Sequence, residues 1–200
     1  MDYVEPIQSL IPGVQGRVLA VLAATDTELM MRTVASLAGV SVNRAVAVLN
    51  HLVDLGVVER REAGRSALVG LQGDNEATRA ILALNRVHDR VIERLRHEAR
   101  AIRPAPAALL LFGSFATGSA RAGSDVDVLA VRPTGLAGDD PAWVASLGAW
   151  TDGAIRITGN PLNLVVVGQD EIPATVLRRA TGPGGQRSQV SPFACCCSFD

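Results

Sequence analysis

Residues 106–131, PAALLLFGSFATGSARAGSDVDVLAV, restrict the folds open to this chain more than any other segment. An apolar run of strand length meets Gly113-Ser114, which turns the chain into a short helix, and a second strand starts near Asp125. Gly113 has no Cβ, so the backbone can approach a ligand closely there. Ser114 adds a hydroxyl beside the free N–H groups of a helix start, and together they suit a phosphate. Asp125 and Asp127 stand two apart on a strand, so both carboxylates point to one face. Adjacent carboxylates repel unless a cation lies between them, and hard oxygen donors suit Mg²⁺, which also binds substrate phosphates. A phosphate cradle and a carboxylate pair joined by one short helix are the parts for phosphoryl or nucleotidyl transfer.

The spacing is Gly113-Ser114, ten residues (115–124), then Asp125-Val126-Asp127. It resembles the motif of the nucleotidyltransferase superfamily related to DNA polymerase beta. The short length and strand–helix–strand setting look like the minimal nucleotidyltransferases, small bacterial domains of which some are paired with a toxin-like protein partner. The resemblance implies that Gly113 and Ser114 hold a nucleoside triphosphate (NTP) and that Asp125 and Asp127 ligate Mg²⁺. The reaction it implies is in-line attack on the α-phosphorus with release of pyrophosphate. It also implies a third carboxylate on a later strand, which helps bind metal and accepts the attacking hydroxyl's proton. That strand is expected at Leu162–Val167, where the acid's position falls on or near Asn163 and no acid occurs. Asn offers a cation its oxygen but does not accept a proton as a carboxylate does. Asp152 lies upstream, and Asp170 and Glu171 downstream. Two carboxylates in place of three predict weaker metal binding and missing general-base help. Two readings stay open: a Mg²⁺-dependent nucleotidyltransferase, or a module that senses nucleotide or a partner without turnover.

Composition narrows how phosphate can be held. The chain has 200 residues with 19 basic against 20 acidic, and every basic residue is Arg. Without Lys, a Walker loop, a kinase strand Lys and a Lys Schiff base are excluded. A GC-rich coding bias produces the same skew. Phosphate contacts then fall to backbone N–H groups, Ser114 or Arg, with Arg121 and Arg156 as candidates against a plain surface role. Hydrophobic content of 48% supports a real core in one ordinary domain or two small ones. No apolar run approaches the ~18 residues of a membrane helix, and MDYVEPIQSL has no signal-peptide pattern. Cys195, Cys196 and Cys197 are consecutive and cannot bridge a fold. These features predict a cytoplasmic protein.

Upstream, the expected elements are helices at Gln15–Ala24, Glu28–Ala38 and Val42–Leu55. Gly39 suits a helix C-terminus and Ser41 can cap the third helix. Val42, Val46, Leu49 and Val53 share a face of that helix. Two strands follow, Val57–Arg61 and Ser66–Val69, around Gly64. This order resembles the winged helix-turn-helix of small bacterial transcriptional regulators, with Ala35 where two helices meet. The start of the third helix would then enter the major groove, which nominates Ser41, Asn43 and Arg44, and Arg65 at the hairpin tip could reach a phosphate or the minor groove. Residues 1–73 hold 6 Arg against 7 acids, so DNA binding has no electrostatic surplus, and a structural or dimerising role stays open.

Between the two motifs, Asp74–Arg100 reads as one long helix, capped at Asp74. Its stripe Ala77, Ile81, Leu84, Val87 or His88, Val91 and Leu95 packs on a second copy or on the next domain. Neither His88 nor His97 has metal-site spacing. Trp143 and Trp150, in a helix from Pro141, are expected in the core. The tail 181–200 lacks periodicity and reads as a disordered, truncated or out-of-frame end. The expectation is an α+β protein: a winged helix (1–73), a connecting helix (74–103), a small nucleotidyltransferase-like mixed sheet with helices (104–180), and the tail. Its expected partners are an NTP, DNA and a second copy of itself or a toxin-like protein, with no membrane.

Overall fold

The computed structural model describes residues 1–64 and 66–171 and the backbone of 190–193. The fold is mixed α+β, in two compact units: Glu5–Val87, and Met1–Val4 together with His88–Asp200.

In the first unit, α1 (Pro6–Leu10) starts on a proline whose missing N–H costs nothing at a helix start. It is followed by α2 (Val14–Ala23), β1 (Leu29–Met30), α3 (Met31–Leu37) and α4 (Val42–Asp54). The hairpin β2 (Val58–Ala63) and β3 (Ser66–Leu71) turns at Gly64, whose φ of +63° favours glycine. The sheet order is β1-β3-β2, all antiparallel. The last three of these helices and the hairpin, in this order, make a winged helix. Its core gathers Val18, Leu19, Leu22, Val34, Leu49, Leu52, Val57 and Val69.

Three expectations change here. Leu29 and Met30 leave the expected second helix to pair with Val69 and Leu68, because the sheet edge satisfies their backbone groups. On α4 the buried residues are Ala45, Leu49 and Leu52, while Val42 is 43% exposed. Ala45 lets the helix lie close to its neighbours, which rotates the buried face away from Val42. Ser41 holds the N-cap position of α4, but its side chain makes no capping hydrogen bond.

The connecting stretch is two helices, α5 (Glu76–Asn85) and α6 (Val87–Ala99), with Arg86 outside helical geometry. The cap is Asn75, not Asp74: its Oδ1 accepts from the N–H groups of Ala77 (2.8 Å) and Thr78 (3.2 Å). The apolar stripe divides with the helices. Ile81 and Leu84 pack on the winged-helix core. Val91 and Leu95 are buried in the second unit, where the Trp150 indole N–H donates to Leu95 O.

The second unit continues with β4 (Ala108–Phe112), the single turn α7 (Gly113–Ala116), β5 (Val126–Arg132), α8 (Pro141–Thr158), β6 (Leu162–Gly168), a 3₁₀ turn (Gln169–Glu171) and β7 (Val190–Phe193). Its sheet runs β6-β5-β4-β7, with β5 parallel to β6 and the other pairs antiparallel. The parallel pair needs a crossover, which α8 supplies. Asp140 caps α8, accepting from Ala142 and Trp143, and Gly159 ends it at φ +67°. Strand alternation puts Val126, Val128 and Ala130 on one face of β5 and Asp127, Leu129 and Val131 on the other. Trp143 and Trp150 are buried, as expected of core residues.

Of the tail, only the backbone of 190–193 falls within the described residues, and it pairs with Leu109–Phe112 despite the missing periodicity. The rest of the tail, with the three cysteines, lies outside them, as does Arg65. Among the described residues no single helix is long and apolar enough to cross a membrane.

Candidate phosphate and metal site

The site residues lie in a row across three strands. Phe112 pairs with Asp127, and Asp127 pairs with Asn163. Gly113 follows Phe112 directly, at φ +70°. A Cβ built on Gly113 would stand 2.5 Å from Asp127 Oδ2 and 3.4 Å from its Cγ. The glycine is therefore required twice over, once by its backbone angle and once by the carboxylate packed against it. Ser114 is partly buried, and its hydroxyl makes no hydrogen bond among the described residues. Its carbonyl accepts from Ser119 N–H (2.9 Å) and the Thr117 hydroxyl (3.1 Å), which folds the segment after α7 back on the turn. With only one turn, α7 brings little macrodipole, so what the turn offers an anion is its individual N–H groups and the Ser114 hydroxyl.

Asp125 lies one residue before β5 rather than within it. Val126 is fully buried while Asp125 is exposed and Asp127 half-buried, so the two acids share the side opposite Val126. Asn163 stands beside Asp127, and its Nδ2 donates to Asp127 Oδ1 at 3.2 Å. The amide thus supplies one hydrogen bond to the Asp127 carboxylate. Among the described residues no three His, Cys, Asp or Glu side chains gather into a metal-binding group. Asp170 and Glu171 crowd Gly168 at the far end of β6, together with Arg132, and Asp152 is exposed on α8. None of the three takes the third position. The donors present are two carboxylates and an amide oxygen, all hard, and they fit Mg²⁺ by chemistry.

Two neighbours of this row carry no recognised motif. Asn160 and Pro161, between α8 and β6, hold the backbone around Asp125: Asn160 Nδ2 donates to Ser124 O (2.8 Å) and Val126 N–H donates to Pro161 O (2.8 Å). Their only sequence signal is an Asn-Pro turn dipeptide. Tyr3 is 5% exposed, and its hydroxyl donates to Thr158 O (2.6 Å). Its N–H donates to Ala120 O, and its ring meets Phe115 edge-on at 4.8 Å. Burial pushes the Tyr3 phenol above its ordinary pKa. His88 shares this cluster, with Nε2 2.8 Å from Phe115 O. Nothing local in the sequence joins residues 3, 88, 115 and 158.

Of the two candidate arginines, Arg121 is exposed in the loop before Asp125. Arg156 lines a groove with Glu98, Ile102 and Trp150 between α6 and α8. In the winged helix, Ser41, Asn43 and Arg44 are all exposed on the first turn of α4. Wing arginines are already engaged: Arg60 bonds Glu62, and Arg61 bonds Glu28.

With this geometry in place, comparison with known proteins is informative for one unit. Residues 92–140 match the nucleotidyltransferase domain family. The match spans α6 to the approach to α8 and includes Gly113, Ser114, Asp125 and Asp127. Among solved structures, the chain is similar to a transcriptional regulator of the MarR family from Rhodococcus sp. RHA1. The identity is 20%, over 50% of this chain and 81% of that one, with a TM-score of 0.30. The winged helix of the first unit is defined by its own elements. No curated protein matches the chain.

Proposed function

We propose that the second unit binds an NTP with Mg²⁺ and that the first unit binds DNA, so that the protein is a regulator answering to nucleotide. The observation that carries this reading is Asn163 hydrogen-bonded to Asp127 in the register position of the third acid. Gly113 and Ser114 would hold the triphosphate through backbone N–H groups and the Ser114 hydroxyl. Asp125 and Asp127 would hold the cation, with the Asn163 oxygen as a further donor once the amide turns. The bound cation would neutralise phosphate charge. With no carboxylate in the third position, no side chain there accepts a proton from an attacking hydroxyl, so binding outlasts chemistry. Ser41, Asn43 and Arg44 would face base edges, where Arg pairs with guanine and Asn with adenine.

A second reading, slow nucleotidyl transfer to an unknown acceptor, is favoured by the intact Gly113-Ser114…Asp125-Val126-Asp127 spacing. Labelled NTP separates the two. The regulator reading expects wild type to bind NTP in a Mg²⁺-dependent way that Asp127→Ala abolishes, without label transfer. It also expects a DNA shift weakened by Arg44→Ala. Label transfer that Asp127→Ala removes establishes the transferase instead.

A further inference from the structure

The geometry points to Asn160 as a positioning residue for Asp125, and this rests on reading Asp125 and Asp127 as divalent-cation ligands. Asp125 lies outside β5, so only the backbone on either side of it fixes where its carboxylate stands. Both flanking peptides are held by one turn. On one side, Ser124 O accepts from Asn160 Nδ2 at 2.8 Å; on the other, Val126 N–H donates to Pro161 O at 2.8 Å. Arg121 O lies 3.5 Å from the same Nδ2.

Asn160 is 1% exposed, and its polar atoms are engaged. Oδ1 accepts from the Met1 amine at 2.7 Å, and its backbone N–H donates to Thr158 Oγ1 at 3.2 Å. The amide orientation is dictated by chemistry, since an ammonium only donates and a carbonyl only accepts. Burying an amide is costly unless it is fully bonded, and here those bonds go to the loop before Asp125. Two residues beyond Pro161, Asn163 bonds Asp127. The turn therefore sets Asp125 through its peptides, and the strand that follows it, β6, meets Asp127 through the Asn163 side chain. Residues that orient metal ligands without touching the metal typically change affinity about 10–100-fold when replaced.

Mn²⁺ titrated into the full chain and followed by electron paramagnetic resonance tests this. Asn160→Asp keeps the shape and the acceptor for Met1, removes the N–H donor, and sets a carboxylate oxygen against Ser124 O. The expected result is a folded protein that binds Mn²⁺ about tenfold more weakly, with faster amide hydrogen exchange at Val126. Adding Asp125→Ala to Asn160→Asp should then cost less than Asp125→Ala alone, because the two act on one ligand. If Asn160→Asp does not fold, Thr158→Val, which removes the acceptor for the Asn160 N–H, carries the test with a loss of about tenfold, at the small end of such effects. Thermal destabilisation with Mn²⁺ affinity unchanged, or losses that simply add, would overturn the role of Asn160 alone. Mn²⁺ binding that Asp125→Ala and Asp127→Ala leave untouched would overturn the cation-site reading, and this inference with it.

Discussion

Gly113 and Asp127 share a space that admits no further carbon atom. A Cβ on Gly113 would meet Asp127 Oδ2 at 2.5 Å, and φ is +70°. Gly113→Ala is therefore expected to cost about 1–3 kcal/mol from backbone strain alone and to displace the Asp127 carboxylate. Calorimetric titration should show Mg²⁺–NTP binding lost while the fold persists; unchanged affinity would remove Gly113 from the site. Asn163→Asp probes the opposite end of the row. It replaces an amide N–H donor to Asp127 with a third carboxylate. Without metal the variant should be less stable, since two carboxylates then repel across the strands. With Mn²⁺ it should bind more tightly, and label transfer absent from wild type should appear, since a positioned base is worth roughly 10²-fold or more. A variant with tighter metal binding and no transfer would show that a base is not all the site lacks. That the sequence offers an Asn where the resemblance implies a third acid, on or near Asn163, was legible from the resemblance; that Asn163 pairs with Asp127 was decided by the register of β5 and β6. Asn160 was not, because a lone polar residue announces nothing until the loop it bonds is folded over it.

Element boundaries show where local pattern loses to packing. Residues 74–100 keep one apolar stripe, yet the chain breaks at Arg86 with neither Pro nor Gly there. The two halves of the stripe are claimed by different cores: Ile81 and Leu84 by the winged helix, Val91 and Leu95 by the second unit. Periodicity reports that a face is apolar, not which core buries it. Asn75 caps α5 with two hydrogen bonds, and Asn75→Ala should lower stability by about 0.5–2 kcal/mol in chemical denaturation. On the wing, β1 and β2 both flank β3, and Arg61 on β2 reaches Glu28 just before β1. The Arg61 guanidinium, through its hydrogen bonds and charge, holds the Glu28 carboxyl below its ordinary range. A lowered folded pKa gives stability that is present above the unfolded value and lost as pH falls through the folded one. Denaturation between about pH 5 and pH 3 should show a shallow acid loss that Glu28→Gln abolishes; the pair is exposed, so the loss is small.

The chain's first four residues belong to the unit formed by its second half. Tyr3 anchors them there through Thr158, Ala120 and the Phe115 ring. Tyr3 is the one tyrosine in the sequence, and both tryptophans, Trp143 and Trp150, lie in the same unit. Tryptophan fluorescence therefore reports this unit's unfolding, and phenolate absorbance titrates Tyr3 alone. Since burial raises the folded pKa above the ordinary value near 10, the Tyr3 contribution to the unit's stability should be level below pH 10. It should then be lost as pH rises from there through the folded value, because the unfolded chain ionises first. Tyr3→Phe keeps the ring contacts, loses about 1 kcal/mol with the hydrogen bond to Thr158, and should abolish the alkaline loss. An alkaline limb that survives in Tyr3→Phe would assign it elsewhere.

What the sequence determined by itself follows from short-range geometry. The strand–turn–strand around Gly113, the two acids on one face, the hairpin at Gly64 and the helix order before it all depend on residues a few positions apart. Dihedral preference and side-chain period act over that distance. Only the tertiary structure decided which core each half of the 74–100 stripe enters, that Leu29 and Met30 pair as a strand, and that residues 1–4 close on the second unit. Those outcomes are settled by burial and by satisfying backbone groups across about 40 to 160 positions, roughly the spans from Leu29 to Val69 and from Met1 to Asn160. The candidate site divides along the same line. Its two acids stand in the motif, and the turn that holds the backbone around Asp125 exists only once Asn160 is folded against Ser124.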